Sequence, residues 1–237
     1  MSNDRNEQAA ALGIRDMAFW YDPSQAGAPV VDIGSFQVAA GEQVLVRAAS
    51  GGGKSTLLQL IAGVLEPSRG VIEIGGKSIH ALTGSARDRF RGGSIGMVFQ
   101  TFQLLDGFSA RENVEVALLM GGVAESEHAL RAGELLTKLG LDRVDVPVEE
   151  LSVGQQQRVA VARAVACKPA LVLADEPTAS LDVENGNRAM DVIQSACAEI
   201  GAALLCVSHD PAMAERFTRQ VDLNSLRSEA MAKGGAR

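Results

Sequence analysis

The sequence predicts an α/β fold organised around one strand–loop–helix unit at residues 44–62. Three observations carry this. Val44-Leu45-Val46 is a short apolar run that reads as a buried strand, and residues 57–62 read as a helix. Between them lies a Gly-rich turn, Ala48-Ala49-Ser50-Gly51-Gly52-Gly53-Lys54-Ser55-Thr56. Further apolar strands at 94–99, 170–174 and 202–207 each run into polar residues, with helical stretches between them.

Strand, Gly-rich turn, Lys-Ser and helix, in that order, make a phosphate-binding loop. Gly51, Gly52 and Gly53 have no side chain to hold an anion away from the backbone. Their N–H groups and the helix start can cradle it. Lys54 is placed for β- and γ-phosphate oxygens, and Ser55 for Mg²⁺. The usual first glycine of the pattern is Ala48 here. If that position requires positive φ, alanine is strained there by about 1 kcal/mol.

Composition narrows the class. A chain of 237 residues is long enough for one large domain or two small ones with a core. Aromatics make up only 4%, so Val, Ala, Leu and Ile must fill that core. A net charge of −7 weighs against broad nucleic-acid binding, and no nucleic-acid partner is expected. Cys167, Cys197 and Cys206 show no framework or zinc spacing and predict reduced, buried thiols in a cytoplasmic setting. The polar N-terminus has no signal-peptide core, and no apolar run is long enough to span a bilayer.

In chain order, residues 1–11 are polar and read as a tail. A strand from 14 to 21 ends in Phe19-Trp20-Tyr21, where Tyr21 is the residue expected to stack on a base and the others to pack the strand end. Residues 22–29 are turn chemistry, 30–38 a second strand, and 71–74 with 77–80 a hairpin around Gly75-Gly76. His80 and His128 read as surface residues, and Arg87, Arg89 and Arg91 as a solvated helix face. Gln100 directly follows the strand at 94–99, at the end where α/β sheets place ligands. It is therefore in reach of Mg²⁺ or an attacking water.

The apolar loop at 101–108 contains Phe102, Leu104, Leu105 and Phe108 and reads either as a partner surface or as internal packing. Ser109 with Glu112 is a capping box, and Ala132, Leu135, Leu136 and Leu139 form an amphipathic stripe closed by Gly140. At 151–158, Ser152 stands at an N-cap, and Gly154 and Gln155 follow in the first turn. This is a second anion-binding helix start. Two such starts in one chain mean two ligands, or one ligand shared across a dimer. Asp175-Glu176 closes the strand at 170–174, where two adjacent carboxylates are costly unless they face a cation or a reaction. Asp175 can hold Mg²⁺, and Glu176 can deprotonate the attacking water. His209 ends its strand in the same way and is read as a γ-phosphate contact.

Taken together, these motifs resemble the ATP-binding subunits of ABC transporters over about residues 12–224. The resemblance rests on the phosphate loop at 48–56, Gln100 as Q-loop, the signature at 151–158, Walker B at 171–176, the D-loop at 179–182 and His209 as H-loop. Six motifs in one order are specific; the first alone is not. Ala48 departs from the pattern, and so does Val153, which replaces the first signature glycine. The stretches 96–105, 110–114 and 173–178 look like the branch containing lipoprotein-releasing, macrolide-exporting and cell-division subunits.

The resemblance implies a nucleotide-binding domain with an antiparallel β subdomain and a helical subdomain at about 101–165, between tails at 1–11 and 225–237. It implies ATP and Mg²⁺ as ligands, with Lys54, Gln100, Glu176 and His209 catalytic, and Ser55, Gln100 and Asp175 at the metal. A homodimer formed through ATP and an integral membrane permease follow as partners, with the chain peripheral on the cytoplasmic face. The alternatives are a soluble ABC-type ATPase and a hydrolysis-impaired dimerisation module.

Overall fold

The computed structural model describes residues 10–22, 27–49, 51–179 and 181–228. In chain order its strands and long helices are β1 (Leu12–Phe19), β2 (Val31–Val38), β3 (Gln43–Arg47), α1 (Lys54–Ile61), β4 (Arg69–Ile74), β5 (Lys77–Ser78), α2 (Gly84–Ser94), β6 (Ile95–Val98), α3 (Ala110–Met120), α4 (Glu125–Lys138), α5 (Val153–Val165), β7 (Leu171–Asp175), α6 (Val183–Ile200), β8 (Ala203–Ser208) and β9 (Arg219–Asp222). They form two sheets, one antiparallel in the order β2-β1-β4-β5 and one parallel in the order β6-β7-β8-β3-β9.

The parallel strands read as unbroken apolar runs because both faces are covered. Along β7 and β8 the side chains alternate between two cores. Leu171, Leu173, Ala203, Leu205 and Val207 join the core shared with the antiparallel sheet and α1. Val172, Ala174, Leu204 and Cys206 face α5 and α6. Helices α3, α4 and the outer face of α5 pack on a third cluster that includes Val114, Leu136 and Val159. Ser109 and Glu112 make both hydrogen bonds of the capping box that starts α3. In the amphipathic stripe, Ala132 and Leu136 are buried and Leu135 and Leu139 pack beside them.

One glycine lets β4 pack against a bulge in β1. β1 bulges between Arg15 and Ala18, with Asp16 at φ 47°. Gly70, at φ 85°, lies against that bulge so closely that a Cβ would come within 2.4 Å of the Asp16 carbonyl oxygen. Only glycine fits.

Several expectations change in the structure. Helix α1 begins at Lys54, earlier than the apolar pattern marks, while α5 begins directly after its N-cap Ser152 as expected. The edge strand β9 has no apolar alternation to announce it. It pairs in parallel with β3, and Arg219 Nη1 at its start donates to both Glu42 oxygens at 2.9 and 3.0 Å. The arginines of α2 are not simply a solvated face. Arg91 Nε donates to Ala62 O at 2.8 Å and its Nη2 to Gly63 O at 3.1 Å, while Arg87 pairs with Glu66. His80 is half-buried, with Nε2 donating to Leu60 O at 3.1 Å. Arg91 and His80 thus satisfy the carbonyls that end α1, which an isolated helix leaves open. His128 is buried, with Nε2 donating to Val123 O at 2.9 Å.

Of the two expected tails, residues 1–9 and 229–237 lie outside the described residues. Ala11 is buried in the first core, Leu226 packs against it, and Ser228 Oγ donates to Asp32. The three cysteines are free thiols. Burial pushes Cys197 up to about 12 and Cys206 higher still. No helix among the described residues is long and apolar enough to cross a membrane.

Candidate functional site

β3 delivers the chain to the glycine turn, and the turn delivers it to α1. Gly51 and Gly53 sit at φ 75° and 87°, and Gly53 is the N-cap of α1. A Cβ on Gly53 would lie 2.8 Å from Val30 O, and one on Gly52 would lie 2.9 Å from Ala49 O. The turn therefore requires glycine at both positions and leaves the first N–H groups of α1 bare of side chains. Ala48 is not among the residues at positive φ, so its methyl carries none of the strain that position would otherwise impose. The methyl is buried in the first core, and the Ala48 carbonyl accepts a hydrogen bond from Lys54 Nζ at 3.2 Å. Ser50 lies outside the described residues.

Tyr21 reaches the same place from the end of β1. Its hydroxyl lies 3.0 Å from Thr56 Oγ1, its ring meets Phe19 edge-on at 5.0 Å, and it remains 65% exposed. Phe19 is core, and Trp20 Nε1 donates to Gly27 O. A broad exposed ring tied to the loop helix is therefore Tyr21 alone of the three.

The adjacent carboxylates of β7 divide their partners. Asp175 Oδ2 accepts from Ser55 Oγ at 3.3 Å. Glu176 is buried, and its carboxylate accepts from Ser208 Oγ at 2.8 Å while contacting Lys54 Nζ at 2.9 Å and His209 Nδ1 at 2.6 Å. The Glu176 backbone sits at φ 46°, a conformation that costs a non-glycine residue about 1–3 kcal/mol. The N–H of Glu176 donates to Val207 O at 2.9 Å, which holds it there.

Electrostatics separate the pair. Burial works to push Glu176 up. Hydrogen bonds from His209, Lys54 and Ser208, with the Lys54 charge, more than offset it and hold the carboxyl below its usual range. Asp175 is pushed up, first by burial and then by the neighbouring Glu176 charge, against the Ser55 hydrogen bond and Lys54. Two carboxylates on one strand end thus have opposite shifts, a division seen where groups carry different tasks.

Ser55 and Asp175 offer two hard oxygen atoms side by side. No group of three His, Cys, Asp or Glu residues suited to a metal occurs among the described residues. Two protein oxygens fit Mg²⁺, which keeps water and takes phosphate oxygens rather than a full protein cage.

Tyr21, the glycine turn, Lys54, Ser55, Thr56, Asp175, Glu176 and His209 therefore meet at the C-terminal ends of β3, β7 and β8. Gln100 is exposed just beyond β6, the strand next to β7. Ser152 and Gly154 are not part of this group. They line a separate cleft of about 400 Å³ with Leu181 and Asn185, while Gln155 completes the capping box with Ser152.

Two contributors escape a reading of motifs. Ser208 is legible only as the polar residue that closes β8, one position before His209. Arg163 Nη2 donates to Phe102 O at 2.7 Å, and its Nη1 donates to Gln103 O, anchoring the loop after Gln100 from within α5. No spacing in the sequence announces that contact.

Comparison with known proteins agrees with this geometry. The ABC transporter family profile matches residues 31–179. The chain is 42% identical over 189 residues to the lipoprotein-releasing system ATP-binding protein LolD 1 of Caulobacter vibrioides, covering 79% of this chain and 81% of that one. It is 34% identical over 216 residues to the macrolide export ATP-binding/permease protein MacB of Salmonella typhi, covering 91% of this chain and 33% of that longer protein. The dimeric ATP-binding cassette MJ0796, in a post-hydrolysis state bound to ADP and Pi, matches with a TM-score of 0.75 at 31% identity, covering 92% of this chain and 96% of that one. A phosphate loop facing two unlike carboxylates, in a chain so closely similar to these proteins along most of its length, belongs to the ABC transporter family as an ATP-binding subunit whose characteristic activity is ATP hydrolysis.

Proposed function

We propose that two copies of this chain close around two Mg-ATP molecules and drive a conformational change in an integral membrane permease. The observation that carries the reading is the Glu176 carboxylate. It gathers Lys54, Ser208 and His209 one residue from the Asp175–Ser55 pair. The N–H groups at 51–55 and Lys54 bind the β- and γ-phosphates, and Tyr21 stacks on the adenine ring. Ser55, Asp175 and Gln100 hold Mg²⁺, which when bound neutralises phosphate oxygen charge. Glu176 takes the proton of a water as its oxygen attacks the γ-phosphorus, and ADP leaves with the bonding electrons. His209 holds Glu176 and the γ-phosphate in register.

Ser152, Gly154 and Gln155 lie apart from this site in their own chain. They are proposed to complete the site of the second copy, because a capped helix start suits an anion. The dimeric arrangement of the MJ0796 cassette supports this. LolD 1 is named for lipoprotein release and MacB for macrolide export. On that likeness the work done here is of the export, lipoprotein-release or mechanotransmission kind, on the cytoplasmic face of the membrane. The chain then reaches the membrane through its permease. Leu105 and Phe108, 39% and 43% exposed beyond Gln100, are the contact proposed for that partner. The test is affinity purification of the chain from its own membranes with Mg-ATP. An integral membrane protein should copurify in fixed proportion, and recovery without one would overturn the permease reading.

A further inference from the structure

Among the described residues, two buried side-chain nitrogens lack a hydrogen-bond partner, His80 Nδ1 and Gln157 Nε2. Gln157 contrasts with its neighbours on α5. Ser152 and Gln155 close their capping box, Gln156 Nε2 donates to Val148 O at 2.9 Å, and Arg158 Nη1 donates to Gly140 O at 2.8 Å. Gln157 is 6% exposed, and its amide nitrogen donates to nothing. Leaving a buried donor unmet costs about 1–3 kcal/mol, which an apolar side chain of similar size would avoid.

Gln157 lines the cleft between α5 and α6, and the facing wall carries Leu181, Asn185 and Arg188. Asn185 is complementary to it. Its backbone N–H donates to Asp182 Oδ1 at 2.9 Å and its Nδ2 to Asp182 Oδ2 at 2.6 Å. One amide hydrogen of Asn185 is thus committed to Asp182, and its Oδ1 is an acceptor. Arg188 is paired with Glu184. The wall is also tied to Glu176, since Ala179 N donates to Glu176 O at 3.1 Å and Leu181 N to Thr178 O at 3.0 Å. The cleft therefore separates the helix start at Ser152 from the turn that follows Glu176.

We propose that Gln157 is a positioning residue whose Nε2 donates to Asn185 Oδ1, directly or through one water, as the two walls approach. The bridge fixes the spacing between the Ser152 helix start and the Glu176 turn. One protomer's signature helix and its own general base are thereby held in one geometry. The inference rests on the reading that the Ser152 helix start serves a nucleotide bound by a second copy.

The test uses the full chain with Gln157→Leu, Asn185→Leu and the double variant. Melting without nucleotide, steady-state Mg-ATP hydrolysis and light scattering in the Glu176→Gln background are measured for each. Gln157→Leu should melt at or above the wild-type temperature, because it removes an unmet donor. Its kcat should fall roughly three- to tenfold, as expected for one hydrogen bond lost from the closed form, with KM within about twofold. The double variant should fall no further than either single one. Where leucine disturbs packing, Gln157→Met keeps the unbranched length and removes the amide. Wild-type kcat in Gln157→Leu and Gln157→Met, or additive losses in the double variant, would overturn the bridge. Absence of an ATP-held dimer in the Glu176→Gln background itself would overturn the shared-site reading and the bridge with it. A normal dimer with normal turnover in Gln157→Leu would remove the bridge alone.

Discussion

Lys54 Nζ lies 2.9 Å from Glu176 Oε1, so the cation of the phosphate loop and the carboxylate at the end of β7 neutralise each other. Both side chains are nearly buried there. A phosphate taken up by Lys54 competes with Glu176 for that cation. On the role proposed for Glu176, nucleotide uptake and release of that carboxylate are coupled through this one ion pair.

Glu176→Gln keeps the size of the side chain and one acceptor oxygen but cannot accept a proton. Hydrolysis should fall by a factor of roughly 10² or more. ATP should hold two chains together and ADP should not, which light scattering at high protein concentration would read. Adding Ser152→Glu should abolish the dimer by placing a carboxylate at the proposed anion site. Wild-type turnover in Glu176→Gln would remove Glu176 from the chemistry.

The two carboxylates predict opposite responses to pH. Glu176 is held below its usual range, so it binds protons less readily folded than unfolded. Its contribution to stability is full above the unfolded value, about 4.3, and is lost as pH falls through the lower folded value. His209→Ala removes one group that depresses it, so acid unfolding should begin at higher pH. Asp175 is raised, so its ionisation opposes folding as pH rises through the interval from its unfolded to its folded value. Asp175→Asn should therefore melt higher than wild type at pH 7 while losing Mg-ATP hydrolysis. A lower melting temperature for Asp175→Asn would contradict the sign.

Ala48→Gly should leave Mg-ATP affinity unchanged within about twofold. The Ala48 backbone is not in the left-handed region, and Gly52 and Gly53 make the close approaches. Stability should drop by roughly 0.4–1 kcal/mol, because glycine frees the unfolded chain. Calorimetric titration and a denaturant melt separate the two effects. A large gain in affinity would show that the alanine does obstruct the loop.

Arg91→Ala should weaken the fold through α1. It removes the donors to Ala62 O and Gly63 O at the end of the helix that the phosphate loop starts. A loss of roughly 1–3 kcal/mol is expected for those unmet carbonyls. Arg89, whose side chain makes no such cap, is the control: Arg89→Ala should stay within about 0.5 kcal/mol of wild type.

The loop at 101–108 divides into two tests. Phe102 is 8% exposed at φ 56°, and its carbonyl is anchored by Arg163. Phe102→Ser should therefore destabilise the domain. Phe108→Ser with Leu105→Ser should leave basal hydrolysis close to normal and abolish copurification with the membrane partner. Unchanged copurification would move the permease contact elsewhere.

The sequence by itself determined what is local and periodic. Apolar runs ending in Gln100, Asp175 and Ser208-His209 identify buried strands whose ends gather ligands, because a parallel sheet covered on both faces leaves no polar alternation. Gly51-Gly52-Gly53-Lys54-Ser55 identifies the anion cradle, since both the steric need for glycine and the charge sit within five residues. Ser109–Glu112 and Ser152–Gln155 identify helix starts because capping acts across three residues. Only the tertiary structure decided what depends on contacts distant in the chain. The order β6-β7-β8-β3-β9 brings Glu176 onto Lys54 and His209, and no local pattern encodes strand order. The same holds for Arg91 and His80 at the end of α1, for Arg219 of β9 on Glu42, and for Arg163 under the Phe102 loop. Each is a long polar side chain satisfying a backbone carbonyl or a carboxylate far away in sequence, and residue type alone cannot distinguish such a group from a solvated one.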